Sequence, residues 1–204
     1  MSAIRSLVQE RPRLAGALLL AGAILVALTV LARGLEDDGS SVVAQDDLTG
    51  AVRQALVPPL GLSLIYPEDW DARTVGETLR LTSPEKSVTA TFAAPKAAGS
   101  TDDVRRALEF TVREALQRDE VLRRAQGRLG TEAVDTIELS GRLRAGRNVR
   151  VLLLAGATAW RTYGVTVTTA QQPSRRRVAE MAGILASVEL SRPRDARVQT
   201  RAGG

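Results

Sequence analysis

Three acids, Glu68, Asp69 and Asp71, follow one proline within four residues. A pair of carboxylates can divide acid and base work at a glycosidic bond, but only at a fixed separation across the substrate. Nearness along the chain does not supply that separation, and acids after a proline read as turn residues. Lys86 beside Ser87 sets an amine next to a hydroxyl, the pair a Ser–Lys nucleophile needs. Lys86 lies in an expected turn, where water keeps the amine charged. Asp102 and Asp103 read as first-turn helix acids, and Asp37 and Asp38 lack the spacing of a calcium loop. The sequence holds no His and no Cys. It therefore has no imidazole base, no thiolate, no disulfide and no Cys-linked lipid. No catalytic residue, cofactor or metal ligand is expected, and the chain reads as a non-enzyme.

The elements around those residues can be read from periodicity. Leu62, Leu64 and Tyr66 recur at every second position, a strand stopped by Pro67. Residues 78–82 and 87–93 read as two more strands, joined by the turn Ser83-Pro84-Glu85-Lys86. Val88, Ala90 and Phe92 share one face of the second, and Thr89 and Thr91 the other. The period then changes over residues 100–118. Ser100 and Asp103 resemble a capping box, and Val104, Ala107, Leu108, Thr111, Ala115 and Leu116 form a helical stripe. Strand signals return at 120–128, 133–144, 148–155 and 159–169, with Ala145-Gly146-Arg147 as a hairpin turn. Residues 151–155, VLLLA, are apolar on both faces and read as interior to the sheet. After Pro173, Ser174 caps a last helix with Val178, Met181, Ala182, Leu185 and Val188 as its stripe. Strands, helix, strands, helix predict an α+β fold, an antiparallel sheet sandwiched by helices.

Residues 14–32, LAGALLLAGAILVALTVLA, carry no charge. As a helix they span about 28 Å, close to the roughly 30 Å of a hydrocarbon core. Arg5, Arg11 and Arg13 precede the run, while Glu36, Asp37 and Asp38 follow soon after it. Basic flanks stay in the cytoplasm, so residues 1–13 are expected inside and everything after residue 32 outside a cell membrane. The alternative is a signal peptide cut near Ala32 and a secreted product, although the run exceeds the usual signal core. Residues 33–59 read as an acidic linker with a short helix at 46–56, capped by Asp47 and striped by Leu48, Val52 and Leu56. Residues 60–190 form the folded domain, and 191–204 an Arg-rich disordered tail.

The formal net charge is +5. The excess Arg is scattered, and only six residues are aromatic. A single-strand surface needs stacking platforms as well as charge, so no nucleic-acid partner is expected.

Three stretches carry a family likeness: YPEDW (Tyr66–Trp70), LTSPEKSVTATF at 81–92, and residues 162–190 with their I-x-x-S-V-x-L ending. Together they make residues 60–190 similar to the PsbP-like superfamily. The resemblance implies an α/β/α sandwich on an antiparallel sheet. Superfamily members include extrinsic photosystem proteins, a Ran-binding nuclear-transport protein and bacterial extracytoplasmic proteins, some of them lipoproteins. It implies no shared catalytic residues. The lipid-attachment Cys of the bacterial lipoproteins is missing here, and the apolar run would replace that anchor. Trp70 is expected to fold back as a hydrophobic plug. Trp160 and Tyr163 are expected on opposite sheet faces, one in the core and one open. Tyr66, Trp70, Trp160 and Tyr163 are the candidate contacts for a ligand or partner. The expected function is a tethered, non-catalytic binding or assembly module for another envelope or membrane protein. The alternative is a carrier or sensor of a small or lipophilic ligand, with an apolar pocket near Trp70, Phe92, Phe110 or Trp160.

Overall fold

The alternation of Leu62, Leu64 and Tyr66 becomes a core-facing edge in β2 (Leu62–Pro67), where all three are buried and Ile65 faces out. The computed structural model describes residues 51–95 and 99–193. In it β2 is the middle strand of a small antiparallel sheet, between β1 (Val52–Val57) and β10 (Glu189–Leu190). A single 3-10 turn, Pro58–Leu60, joins β1 to β2.

β1 corrects the sequence reading. Val52 and Leu56 have helical spacing, yet residues 52–57 are a strand paired from Val52↔Pro67 to Val57↔Leu62. Pairing satisfies the backbone and turns Val57 into the core, while Val52 and Leu56 are left exposed. Tertiary pairing outweighs the weak local signal of so short a segment. The folded unit therefore includes residues 52–59, which the sequence assigned to the linker.

The larger sheet has seven antiparallel strands: β3 (Asp71–Val75), β4 (Thr78–Thr82), β5 (Val88–Ala93), β6 (Leu116–Leu129), β7 (Glu132–Leu143), β8 (Asn148–Ala157) and β9 (Thr162–Ala170). Their spatial order is β3-β4-β5-β9-β8-β7-β6. The helix α1 (Thr101–Ala115) carries the chain from β5 to the far edge, and a meander brings it back to the centre. Ser100 caps α1 through the expected box with Asp103. Val104, Leu108, Thr111 and Ala115 are buried as the stripe predicts. The helix ends at Ala115, short of the expected residue 118, because Leu116 already pairs with Leu143. β3 was not expected: its only apolar residues, Ala72 and Val75, lie three apart and show no alternation.

Two cores result. Leu108, Val112, Ile137, Leu139, Val151 and Leu153 fill the space under α1. On the opposite face, Leu64, Trp70, Leu81, Phe92, Val165 and Ile184 fill the space under the small sheet and α2 (Arg175–Ala186). Val151 and Leu153 face one core and Leu154 the other, as expected of an interior strand. α2 departs from its expected stripe. Val178 and Ala182 are exposed, and the buried residues are Glu180, Met181 and Ile184. The helix is rolled so that charged side chains reach the turns at one end of the sheet.

The apolar run at 14–32, the linker up to residue 50 and the tail from residue 194 lie outside the described residues. Among the described residues, no helix is long and apolar enough to cross a membrane.

Candidate functional site

Three of the four aromatic candidates are inside the fold. Tyr66, Trp70 and Tyr163 are buried in the core on the small-sheet side. Trp160 is 53% exposed. It sits in the turn between β8 and β9, not within the strand, where the Thr158 hydroxyl accepts the N–H groups of Trp160 and Arg161, each at 3.3 Å.

Arg161 fixes the surroundings of that tryptophan. Its side chain is nearly buried; one Nη donates to the Pro59 carbonyl at 2.6 Å and the other lies 3.5 Å from a Glu77 carboxylate oxygen. The Tyr163 hydroxyl donates to the Leu60 carbonyl at 3.2 Å. The β8–β9 turn, the Pro58–Leu60 turn and the β3–β4 turn are thus tied together at one end of the domain. Leu56, Pro58, Val75 and Trp160 are exposed on or beside those turns. The result is a braced end that displays apolar side chains. The chain enters at the opposite end, where the Ala51 carbonyl accepts the Glu68 N–H at 2.9 Å.

Trp70 belongs to that entry end. Its indole N–H donates to a Glu180 carboxylate oxygen at 3.0 Å. The same oxygen accepts a Nη of Arg177 at 2.6 Å, and the other accepts Nε of Arg176 at 2.7 Å. Arg177 also donates to Glu85 at 2.9 Å and to Asp69 at 3.2 Å. The side chains of Arg177 and Glu180 are only 11% and 8% exposed. One guanidinium therefore staples α2 to the turn after β2 and to the β4–β5 turn. Here all three stretches that carried the family likeness meet: YPEDW, the Ser-Pro turn and the last helix. The acids that could have been paired catalysts are dispersed among different arginines: Glu68 to Arg53, Asp69 to Arg177, and Asp71 to Arg73.

Arg161, Arg177 and Glu180 hold these two ends together but are not among the residues expected from the sequence. One signal existed for the last two. Counting back from Val188, Ile184 and Met181 at helical spacing places Arg177 and Glu180 on the buried stripe, where an unpaired charge is not tolerated.

The electrostatics follow from this packing. Burial pushes the Glu180 carboxyl up, but hydrogen bonds from Arg177, Arg176 and Trp70 outweigh it and hold the group below its ordinary value of 4.5. Glu85 behaves alike: burial raises it, and Arg177, its own backbone N–H and Ser87 bring it below 4.5. Arg177 loses by burial and gains more from Glu180 and Glu85, so its value is raised. Carboxylates depressed in the fold contribute stability that is complete above the unfolded value and is lost as pH falls through the folded one. The melting midpoint of the full chain should hold steady from pH 7 to about 5 and fall below about 4. The fall should be shallower in a Glu180→Gln variant. Equal slopes in the two proteins would remove Glu180 from the account.

No family model matches the chain, and no curated protein matches its sequence. Solved structures do. The solution structure of cyanobacterial PsbP from Synechocystis sp. PCC 6803 aligns with TM-score 0.50 at 12% identity, covering 73% of this chain and 99% of that one. The fold is PsbP-like. A crystal structure from Bacteroides thetaiotaomicron aligns with TM-score 0.51 at 17% identity over 71% of this chain, which spans half the length of that protein. In the PsbP-like domain described here, the Trp70–Glu180–Arg177 staple closes one end of the sandwich and the Arg161 brace closes the other.

Proposed function

We propose that this chain is a single-pass membrane protein with a cytoplasmic N-terminus and an extracytoplasmic PsbP-like domain. In this reading the domain is a non-catalytic binding or assembly module for another envelope or membrane protein, and the contact is made through its Trp160 end. The observation that carries the proposal is the exposure of Trp160 on a braced, apolar end remote from the point where residue 51 enters the domain. An exposed tryptophan held by fixed turns loses little freedom on docking, and Trp is prominent among residues that dominate interface energies. A tether leaving from the other end would leave this surface free to face a partner. The alternative, a carrier with an apolar pocket under Trp70 and Phe92, is less well supported, because both residues are packed into the core.

The test is crosslinking of the tagged full-length chain in native membranes, comparing the original protein with Trp160→Ala. The partner should be recovered at least tenfold less well by the variant, while urea unfolding shifts by no more than about 0.5 kcal/mol, the range of a surface substitution. Equal recovery of the same protein by both would sink the role of Trp160. Recovery of a lipid or small molecule alone would favour the carrier.

A further inference from the structure

The face of the large sheet that carries α2 is not covered over its whole width. Beyond α2, toward the β6 edge, lies an open cleft of about 470 Å³. Its floor is built by Ser140 and Arg142 of β7 and by Asn148 and Arg150 of β8, which face each other as Ser140↔Arg150 and Arg142↔Asn148. Gln171 closes one side, and its side-chain carbonyl accepts the Asn148 amide at 3.1 Å. Arg118 and Leu122 of β6 close the other.

Those last two residues are where the ladder breaks. The β6–β7 register shifts between Gln117 and Glu120, and again between Val121 and Arg123. Arg118 lies in the first irregularity and Leu122 in the second. Bulges re-aim side chains, and they gather beside functional sites. Arg118 also holds φ +53, a left-handed conformation disfavoured for any residue but Gly. A bulge commonly sets one residue at such a φ, and Gly is the residue that suits it, so an exposed Arg at this place carries a backbone cost that Gly would avoid. Backbone strain at a cleft whose walls it builds is the pattern of a site.

The lining has three cations and no acid. Arg142 gives its Nε to the Gly146 carbonyl at 2.6 Å, which fixes the guanidinium. Arg150 meets Glu138 only loosely, at 3.6 Å. Among the described residues Arg118 has no ion pair. Glu120 stands across from Ser140 in the register and does not line the cleft. Planar guanidinium forks match the oxygens of phosphate, and the amides of Asn148 and Gln171 add neutral donors and acceptors. Leu122 supplies an apolar wall beside them, and the volume exceeds what an inorganic ion needs.

We infer that this cleft binds the phosphate group of a phosphate ester, with Arg118, Arg142 and Arg150 as its anion clamp. The ester is either a free small molecule or a phospholipid headgroup. The cleft lies at the end of the sheet where the chain enters: the Ala170 N–H, beside Gln171, donates to the Ser87 carbonyl, and Arg177 links Glu85 in that turn to Asp69. The inference is independent of the Trp160 contact.

The experiment uses the full chain in dodecyl maltoside micelles, followed by NMR of the arginine side chains and neighbouring amides. The probes are glycerol 3-phosphate, and micelles doped with phosphatidylglycerol or with phosphatidylcholine. Shifts at Arg118, Arg142 and Arg150 should saturate with one of the two anionic probes. Arg118→Gly should weaken that binding at least tenfold. Gly is at home at φ +53, so this variant should melt no lower than the original. Arg150→Gln serves as a second variant and should weaken binding likewise. Saturation by glycerol 3-phosphate assigns a free ester, and saturation by phosphatidylglycerol alone assigns a headgroup. Binding of neither, equal response to phosphatidylcholine, or affinity unchanged in both variants overturns the inference.

Discussion

Arg177→Met should destabilise the full chain by about 3 kcal/mol, the low end of the cost of breaking a buried ion pair. The reason is the position of Glu180. With its side chain 8% exposed, it would keep only the Trp70 indole and Arg176, which is itself half in solvent. Asp69 and Glu85 lose the same partner, but both are open enough to rehydrate. The staple also joins three separate parts of the chain, so its loss should loosen α2 as a unit. The measurement is urea unfolding followed by Trp70 fluorescence, in a Trp160→Phe background that leaves Trp70 as the only tryptophan. A second substitution, Glu180→Leu, removes the stranded carboxylate. It should restore at least about 1 kcal/mol of the loss, within the range of coupling between contacting residues. A single-variant loss below about 1 kcal/mol would mean that the cluster is a solvated surface network and not a buried staple.

Gly130→Ala should be comparably severe. Gly130 turns β6 into β7 with φ +59, and its N–H donates to the Leu185 carbonyl at 2.9 Å. A Cβ at this position would lie 1.7 Å from the Val188 carbonyl oxygen, a backbone atom that cannot swing aside. The hairpin must part from the segment linking α2 to β10, or the helix must shift. The left-handed conformation alone costs a non-glycine residue about 1–2 kcal/mol. The collision should bring the total to about 3 kcal/mol or more, in the range of severe core lesions. Gly76→Ala is the internal control. Gly76 has almost the same φ, +57, with nothing within 4 Å of the added carbon. It should show the conformational cost alone. Equal losses at the two glycines, measured by urea unfolding, would rule out the close approach at Val188.

The two variants probe features that the sequence displays unequally. Alternation at Leu62, Leu64 and Tyr66, the Ser100 capping box, and the doubly apolar run at 151–155 are local patterns. Each reports a period or a backbone requirement that neighbouring residues satisfy by themselves, and each is present in the fold. The PsbP-like likeness was legible for a related reason. Its short stretches are turn and plug residues whose types are constrained by the staple they build. The burial of Trp70 could be read from Pro67 and the acids around it.

The failures were those of partnership. Residues 52–57 carry helical spacing and become a strand, because β2 offers an edge only once the chain has folded. β3 has too little apolar alternation to announce itself and exists by pairing with β4. The expected stripe of α2 was misplaced by one helical position at Val178 and Ala182. A reading by hydrophobicity discards Arg177 and Glu180, while the fold buries them with partners about a hundred residues away in sequence. The same holds for Arg118, Arg142 and Arg150: sequence shows three scattered arginines, and two bulges with a three-strand register place them around one cleft. By itself the sequence determined the periods, the caps, the turns and the absence of His and Cys chemistry. The tertiary structure decided which faces pair, which charges are buried together and which tryptophan remains outside. Those are long-range matters, settled by the free energy of pairing and burial and not by any residue's local preference.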